Sequence, residues 1–217
     1  MKKDFFKTWS PNMAWMLGYI WADGSVHVGT SHGCAVSFEC TVMDKELLVH
    51  VRRILESHHK LAFVSRIRSR DSCLLRVSGK KLVMDLVELH GIKPGKSRLD
   101  EPFPEVPDKY VSHFIRGYLD GDGFVSVQKC ESGKICIHVA FCGRFNFLEG
   151  LRCRLINLLN LRNHQVRVSG RGYVVEWAWR EDVKRLYHWL YPADDVPNLK
   201  RKRLKMLKVF DCCDKIL

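Results

Sequence analysis

Two apolar stretches, each ending in Asp-Gly, constrain the fold of this chain more than any other feature. They cover residues 15–24 (WMLGYIWADG) and 114–123 (FIRGYLDGDG), one domain length apart in the sequence. Their nearly continuous apolar character predicts a buried helix in each stretch. Asp23 and Asp122 then lie in the last turn of their helices, where the carbonyl dipoles disfavour an anion. Two carboxylates in this position require a compensating cation, and a divalent metal ion is the first candidate.

Small residues on these helices predict that the two helices pack against each other. They lie four residues apart on one helical face, which lets two backbones approach closely: Gly18 with Ala22, and Gly117 with Gly121. Gly24 and Gly123 are expected to end the helices in the left-handed conformation that favours glycine.

The two stretches resemble the paired motifs of the LAGLIDADG homing endonucleases in their single-chain, two-repeat form. The matching segments are Met16–Gly24 (MLGYIWADG) and Ile115–Gly123 (IRGYLDGDG), and the resemblance extends from Ser10 to about Lys208. Trp21 departs from the motif, because the family usually has an acid there, as the second copy does at Asp120. The family does not use this position as its essential acid, so the departure leaves the expected chemistry intact.

Hydrophobic periodicity predicts the same order of elements in both halves of the chain: helix, two strands, helix, two strands, helix. The predicted helices cover 11–23, 44–56, 80–89, 108–122, 146–159 and 181–190, and the strands lie within 25–41, 63–78, 124–129, 135–142, 165–169 and 173–179. Ser10 and Pro11 form a typical helix start, with a capping hydroxyl followed by proline.

The predicted fold class is therefore mixed α/β, with two pseudo-symmetric αββαββα repeats. The proline-rich segment 99–107 reads as a linker between an N-terminal repeat, 1–98, and a C-terminal repeat, 108–217, that ends in a basic helix. The resemblance implies that the antiparallel sheets form a DNA-binding saddle with the motif helices at the interface between the repeats.

The charge of the chain favours a polyanionic partner. The formal net charge is +12, the isoelectric point is about 9.4, and the basic excess is shared equally between the two halves. No apolar run is long enough to span a membrane and no signal-type segment is present, so the expected compartment is cytoplasmic or organellar, neither secreted nor membrane-bound. Nine cysteines without a Cys-x-x-Cys spacing favour reduced thiols over a zinc site or a disulfide framework.

Both halves also carry a polar and basic strand face on the equivalent predicted hairpin. Arg66, Arg68 and Arg70 alternate with Ile67 in the first half, and Gln165, Arg167, Ser169 and Arg171 alternate with Val166 and Val168 in the second. His27, Ser126 and Gln128 join these faces from the first strand of each half. Either ladder alone fits an ordinary solvated sheet face, whereas their recurrence favours a groove for double-stranded DNA.

The resemblance also implies a chemistry. Asp23 and Asp122 become the metal-binding carboxylates of one composite active site at a pseudo-twofold axis, and the carbonyls of Ala22 and Gly121 also lie at the metals. Lys96 and Lys202 are the expected basic residues near the metal-bound water, after the third helix of each repeat. The expected ion is Mg²⁺, with Mn²⁺ able to substitute and Ca²⁺ supporting binding without cleavage.

The function implied is that of a monomeric endonuclease that hydrolyses both strands of a DNA target across the minor groove and leaves 3′ overhangs. Because the halves differ, with Arg68 opposite Ser169, the target is expected to be long and not a perfect palindrome. The alternative is a non-cleaving nucleic-acid-binding protein on the same fold, an intron maturase or a regulator, for which RNA becomes a partner. Degenerate members of the family typically lose one of the motif acids, so the presence of both favours the enzyme.

Overall fold

A computed structural model describes residues 1–29, 33–65, 70–95, 99–129 and 135–211. The described chain divides into two compact units. The first unit comprises Met1–Leu99 with Pro104–Gly117, and the second comprises Asp100–Phe103 with Tyr118–Leu217. Within these residues, no helix has the length and apolar character that crossing a bilayer requires.

The first unit contains one four-stranded antiparallel sheet, with strand order β1-β2-β4-β3. Its elements are α1 (Pro11–Ala22), β1 (Ser25–His27), β2 (Ala35–Thr41), α2 (Lys45–Ile54), β3 (Leu61–Val64), β4 (Ser72–Ser78) and α3 (Lys80–Glu88). Val36, Phe38, Leu75 and Val77 project from the central strands into a core that is fully closed to solvent. The helix α4 (Asp108–Asp120) begins in this unit.

The second unit repeats this topology, with strand order β5-β6-β8-β7. Its elements after α4 are β5 (Gly123–Lys129), β6 (Ile135–Gly143), α5 (Phe145–Leu159), β7 (Arg167–Ser169), β8 (Gly172–Trp177), α6 (Arg180–Leu190) and α7 (Lys200–Asp211). The predicted mixed α/β class and the predicted order of elements in each repeat are thus confirmed, with boundaries that shift by a few residues.

The start of α1 forms as its sequence predicts. Ser10 is the N-cap residue, and its hydroxyl oxygen accepts a hydrogen bond from the Met13 N–H at 3.2 Å. Pro11 occupies the first helical position, where the missing N–H would have no partner within the helix. The buried residues of α1 surround the helix on nearly all sides, from Met13 to Ile20.

The close approach predicted from the small-residue faces is present within the first unit. A Cβ atom added at Gly117 of α4 would lie 1.9 Å from the Trp15 carbonyl oxygen of α1. Trp21 and Phe114 continue the contact between the same two helices with an edge-to-face arrangement of their rings. Only glycine therefore fits where the backbone of α4 meets that of α1.

The prediction that Gly24 and Gly123 adopt the left-handed conformation is wrong. Neither has a positive φ, unlike Gly33, Gly91, Gly95 and Gly170. Glycine is required for a different reason, because the chain folds back over the helix end as it enters the first strand. A Cβ at Gly24 would lie 2.6 Å from Ile20 Cα, and one at Gly123 would lie 2.3 Å from Leu119 O.

The expectation of reduced cysteines holds for most of those that the structure describes. Cys34, Cys40, Cys73, Cys142 and Cys153 are free thiols. Cys136 is disulfide-bonded, so the expectation is wrong at this residue.

Candidate nucleic-acid interface and active site

Asp23 lies directly after α1 as its C-cap residue and is exposed to solvent. Its N–H donates to the Tyr19 carbonyl at 3.0 Å, so the backbone at the aspartate still belongs to the helix. The buried Tyr19 side chain fastens α1 to the sheet, because its hydroxyl donates to the Glu39 carbonyl of β2 at 2.9 Å. The carboxylate is thus held at a rigid junction between helix and sheet.

Asp122 occupies the equivalent place in the second unit, between α4 and β5, and is partly exposed. Its carbonyl accepts a hydrogen bond from the Cys142 N–H of β6 at 3.1 Å. The Tyr118 hydroxyl donates to the Cys142 carbonyl at 2.7 Å, as Tyr19 does to Glu39 in the first unit. A hydrogen bond from a tyrosine hydroxyl to the second strand of the sheet therefore supports both motif aspartates.

Lys202 of α7 supplies a cation at the end of α4. Its ammonium group donates to the carbonyl oxygens of Leu119 at 2.7 Å, Asp120 at 2.8 Å and Gly121 at 3.0 Å. The side chain is only 4% exposed. These carbonyls lie at the C-terminal end of the helix, where carbonyls generally lack an intrahelical N–H. The ammonium provides hydrogen bonds to them and offsets the negative end of the helix dipole. The Lys202 ammonium group therefore provides part of the positive charge that compensates Asp122.

Asp120 fixes the start of the helix that carries Lys202. Its buried carboxylate accepts a hydrogen bond from the Leu199 N–H at 3.0 Å, and Leu199 precedes the first residue of α7. An anion at a helix N-terminus is electrostatically favourable. Asp120 and Lys202 thus join the end of α4 to the start of α7.

The basic run from Lys200 to Lys208 is only partly available to an external partner. Besides Lys202, Lys205 donates to the Val125 carbonyl of β5 at 3.1 Å, and Arg203 donates to the Asp194 carbonyl at 2.9 Å. Lys200, Arg201 and Lys208 are exposed. Half of the run therefore holds α7 in the second unit.

The donor atoms near Asp122 suit a hard divalent cation. Carboxylate and backbone carbonyl oxygens are the ligands that Mg²⁺ prefers, and the Gly121 carbonyl has a second lone pair besides the one that Lys202 uses. Among the described residues, no group of three or more His, Cys, Asp or Glu side chains could hold a metal ion on its own. Ligands from the backbone, water or a bound phosphate must then complete any coordination sphere.

Two cysteines close to the motif aspartates have raised pKa values. Burial raises the pKa of Cys142, and Asp122 raises it further while Lys202 lowers it. Burial also raises the pKa of Cys40 to about 12, with smaller contributions from Cys73, Asp44 and Asp23. The charge of each motif aspartate thus contributes to raising the pKa of a neighbouring thiol.

Each sheet has one face turned to the core and an opposite face, which we call the open face. In the first unit, Val26, Val36 and Val77 lie opposite one another and are buried. The alternate positions form the open face: Ser25 with Ser37 and Arg76 in one row, and His27 with Ala35 and Ser78 in the next. His27 is therefore on the predicted face and is exposed.

The open face of the second unit carries several of the residues predicted to contact DNA. Ser126 lies opposite His138, Gln128 lies opposite Cys136, and Arg167 and Ser169 alternate with Val168 on β7. Arg167 is ion-paired with Glu176 of the neighbouring strand, a partner that its place in the sequence does not reveal. Gln165 and Arg171 are exposed but lie outside the strand.

Part of the predicted ladder in the first unit cannot be placed. Arg66, Arg68 and the predicted catalytic Lys96 lie outside the described residues. Arg70 is exposed and precedes β4 rather than lying on a strand. The assignment of these residues, like that of the other predicted site residues, stays a prediction.

The open faces also carry residues that are not among the predicted DNA contacts. Arg76 lies opposite Ser37 in the first unit, and His138 lies opposite Ser126 in the second. Each alternates with buried neighbours, as Arg76 does between Leu75 and Val77, and this alternation was the available signal.

No protein-family model matches the sequence, and no curated protein matches it either. Solved structures do match over nearly the whole chain. The LAGLIDADG meganuclease I-AabMI bound to uncleaved DNA matches with a TM-score of 0.60 at 13% identity, covering 95% of this chain and 91% of that chain. The homing endonuclease I-WcaI bound to its DNA recognition sequence matches with a TM-score of 0.59 at 16% identity, covering 93% and 91%.

The K262A mutant of I-SmaMI matches with a TM-score of 0.63 at 12% identity, covering 95% of this chain and 93% of that chain. The chain has the LAGLIDADG homing endonuclease fold. The resemblance read from the two motifs is therefore confirmed at the level of fold, in the single-chain form with two repeats. Within the LAGLIDADG fold, Asp23 and Asp122 end the motif helices, and each sheet begins directly after its aspartate.

Proposed function

We propose that the chain is a metal-dependent, sequence-specific homing endonuclease that acts as a monomer. It hydrolyses both strands of a long, non-palindromic double-stranded DNA target. The observation that carries the proposal is the equivalent placement of Asp23 and Asp122, each at a helix end that is fastened by a tyrosine to its sheet. Two rigidly held carboxylates in two units with the fold of DNA-bound endonucleases fit catalysis better than binding alone.

The proposed ion is Mg²⁺. Mn²⁺ can substitute for it, whereas Ca²⁺ supports DNA binding without cleavage. In the first unit, the Asp23 carboxylate and the Ala22 carbonyl would bind such an ion. In the second unit, the Asp122 carboxylate and the Gly121 carbonyl would do so. When bound, such an ion makes water more acidic and stabilises negative charge on the phosphate and on the leaving oxygen. The surroundings of Asp122 support this role, since carboxylate and carbonyl oxygen donors lie together at this turn.

Three residues of the chain hold the ends of the motif helices in position. Tyr19 and Tyr118 hold the helix ends against the second strand of each sheet. Lys202 keeps the carbonyls of residues 119–121 in place and lowers the negative potential around Asp122, which holds a phosphate more readily as a result. The open faces bind the target, and the basic surface strengthens the interaction with its backbone.

Replacing either motif aspartate by asparagine tests the proposal. We expect Asp23→Asn and Asp122→Asn each to abolish double-strand cleavage in Mg²⁺ while DNA binding persists, because the amide keeps the shape but loses the charge that holds the ion. Cleavage is measured on a target selected from a randomised duplex library, and binding is measured in Ca²⁺. Glu88→Gln serves as the control, because Glu88 is an exposed acid at the end of α3.

Full double-strand cutting by either asparagine variant in Mg²⁺ would contradict the assignment of the two aspartates. A wild-type protein that binds duplex DNA but never cuts it in Mg²⁺ or Mn²⁺ would instead identify a binding protein on the same fold.

A further inference from the structure

The row of each open face that lies nearest the motif aspartate differs between the two units. We call it the first row, and it begins at the second residue after the aspartate. It consists of Ser25, Ser37 and Arg76 in the first unit, and of Phe124, Ala140 and Glu176 at the corresponding positions of the second. One row is thus polar and cationic, whereas the other combines apolar side chains with an acid.

Arg76 is suited to bind a base edge in the first unit. Its side chain is exposed, and among the described residues no hydrogen bond or ion pair involves it. Ser37, directly opposite on β2, leaves space beside it because its side chain is small. A free guanidinium on a strand that enters the major groove matches the O6 and N7 acceptors of guanine.

Phe124 gives the first row of the second unit an apolar character. The side chain is 55% exposed, although phenylalanine gains from burial, and it lies opposite the small, buried Ala140. An exposed aromatic ring on a DNA-facing strand matches the 5-methyl group that thymine presents in the major groove. Ser25 at the corresponding position of the first unit has no such surface.

Glu176 does not make this row repel DNA, because its charge is compensated within the unit. Its carboxylate accepts a hydrogen bond from the Arg167 guanidinium, and Arg167 lies one strand further out, opposite Val174. The first unit has Ala62 at the position that corresponds to Arg167, opposite Leu74. The two open faces therefore place their guanidinium groups on different strands.

We propose that the first rows set different base preferences in the two halves of the DNA target. Arg76 selects guanine in the half bound by the first unit. Phe124 selects a pyrimidine with a 5-methyl group, thymine or 5-methylcytosine, in the half bound by the second. This inference rests on the proposed endonuclease function and specifies which bases two of its side chains distinguish.

The test compares wild type, Arg76→Ala and Phe124→Ser on every single-base-pair variant of the selected target. Phe124→Ser introduces the residue that the first unit has at the corresponding position. We expect Arg76→Ala to reduce discrimination about 5- to 150-fold at one position of one half-site. We expect Phe124→Ser to reduce it about fourfold at one position of the other half-site, the value of one buried methyl group.

Base analogues identify the contacted groups. Replacing the selected thymine by deoxyuridine should slow cleavage by the wild type about fourfold and leave cleavage by Phe124→Ser unchanged. At the same position, the wild type alone should cleave a target with 5-methylcytosine faster than one with cytosine. Replacing the selected guanine by 7-deazaguanine should slow cleavage by the wild type and leave cleavage by Arg76→Ala unchanged. Gln128→Ala is the matched control on the same face as Phe124 and should alter a different base pair.

Both substituted side chains are exposed, so thermal unfolding should show that the variants keep the fold. If the wild type cuts its target and both variants keep its base-pair profile, the first-row proposal is overturned and the endonuclease assignment stands. Equal sensitivity of wild type and Phe124→Ser to deoxyuridine would likewise overturn it. A wild type that neither binds nor cuts any duplex overturns the proposed function, and the first-row proposal with it.

Discussion

Lys202 is a buried lysine whose ammonium group is shared among three carbonyl oxygens of one helix end. A catalytic contribution from this residue acts through the geometry and potential of the Asp122 turn. The motif identified the aspartate, and the position of the lysine after the third helix identified Lys202. Neither could reveal that the lysine binds the helix end, since its partners lie more than 80 residues earlier in the chain.

Lys202→Met should destabilise the protein by about 1.5 to 3 kcal/mol, because it removes charged hydrogen bonds from carbonyls that no solvent replaces. The free energy of unfolding is measured by urea titration. Lys200→Met is the matched control, because Lys200 is an exposed lysine in the first turn of the same helix. Equal losses of unfolding free energy in the two variants would show that the three hydrogen bonds of Lys202 do not contribute to stability.

His113 makes the stability of the protein sensitive to acid. Burial, and to a smaller extent the charge of Arg116, lowers the pKa of His113 from 6.5 to about 4. The neutral ring accepts a hydrogen bond at Nδ1 from Arg116, whose side chain is fully buried. Between these two pKa values the unfolded chain binds a proton that the folded chain does not, so stability falls as the pH decreases through this window.

We expect the free energy of unfolding to fall by about 1 to 2 kcal/mol between pH 6.5 and pH 4 through this residue, since solvent reaches part of the ring and screens the effect. His113→Gln, whose side-chain carbonyl can still accept from Arg116, should flatten the dependence measured by urea titration at several pH values. A residual slope is expected, because burial also lowers the pKa of His50 and of His90. His58→Gln, at an exposed position, should leave the slope as in the wild type.

At the level of elements, the contact between α1 and α4 depends on one glycine. Gly117→Ala raises helix propensity by about 1 kcal/mol, yet its Cβ would overlap the Trp15 carbonyl oxygen. Because the opposing atom belongs to a helical backbone, relief requires the helices to separate. We expect a net destabilisation of about 3 kcal/mol, at the upper end of overpacking costs, measured by thermal and urea unfolding.

Ser112→Ala, a small change elsewhere on α4, is the control for Gly117→Ala and should alter stability only slightly. Unchanged or increased stability of Gly117→Ala would mean that α1 and α4 do not pack through this position.

The strands and helices were predictable because each carries a clear apolar period, whereas the role of the two Asp-Gly glycines was not. A glycine after a helix commonly takes a positive φ, but Gly24 and Gly123 are selected by how the next strand folds back over the helix. That geometry depends on strand pairing, which a local pattern does not contain. The predicted face of β7 was recognisable from alternation, while the pairing of Arg167 with Glu176 required the register of two strands.

At the level of the whole molecule, the charge of +12 predicts that DNA binding weakens steeply with salt. Each phosphate neutralised by a cationic side chain releases counterions, so two contacts already give about a tenfold loss between 50 and 200 mM monovalent salt. Fluorescence anisotropy with a duplex of unrelated sequence, in Ca²⁺, measures this dependence. An affinity that is constant across this range would exclude the basic surface as a DNA-binding surface.

The repeated architecture was predictable at this scale because two motif copies and two equal basic halves are visible in the sequence itself. The chemical difference between the first rows was not predictable. That Arg76 and Glu176 occupy corresponding positions is clear only when the pairings of β4 and β8 are known. The first rows thus differ between the repeats, while the tyrosines that hold the helix ends are the same in both.

The hydrogen bonds that Asp120 and Lys202 make between the end of α4 and the start of α7 also affect the order in which this part of the protein forms during synthesis. During synthesis, the end of α4 leaves the ribosome long before Lys202, which follows Leu119 by 83 residues. Until α7 is made, the carbonyls of residues 119–121 lack their cation and the turn at Asp122 lacks its support. A nascent or truncated chain without α7 therefore carries the motif aspartate without these contacts. The turn at Asp122 acquires its final hydrogen bonds only after α7 has been translated.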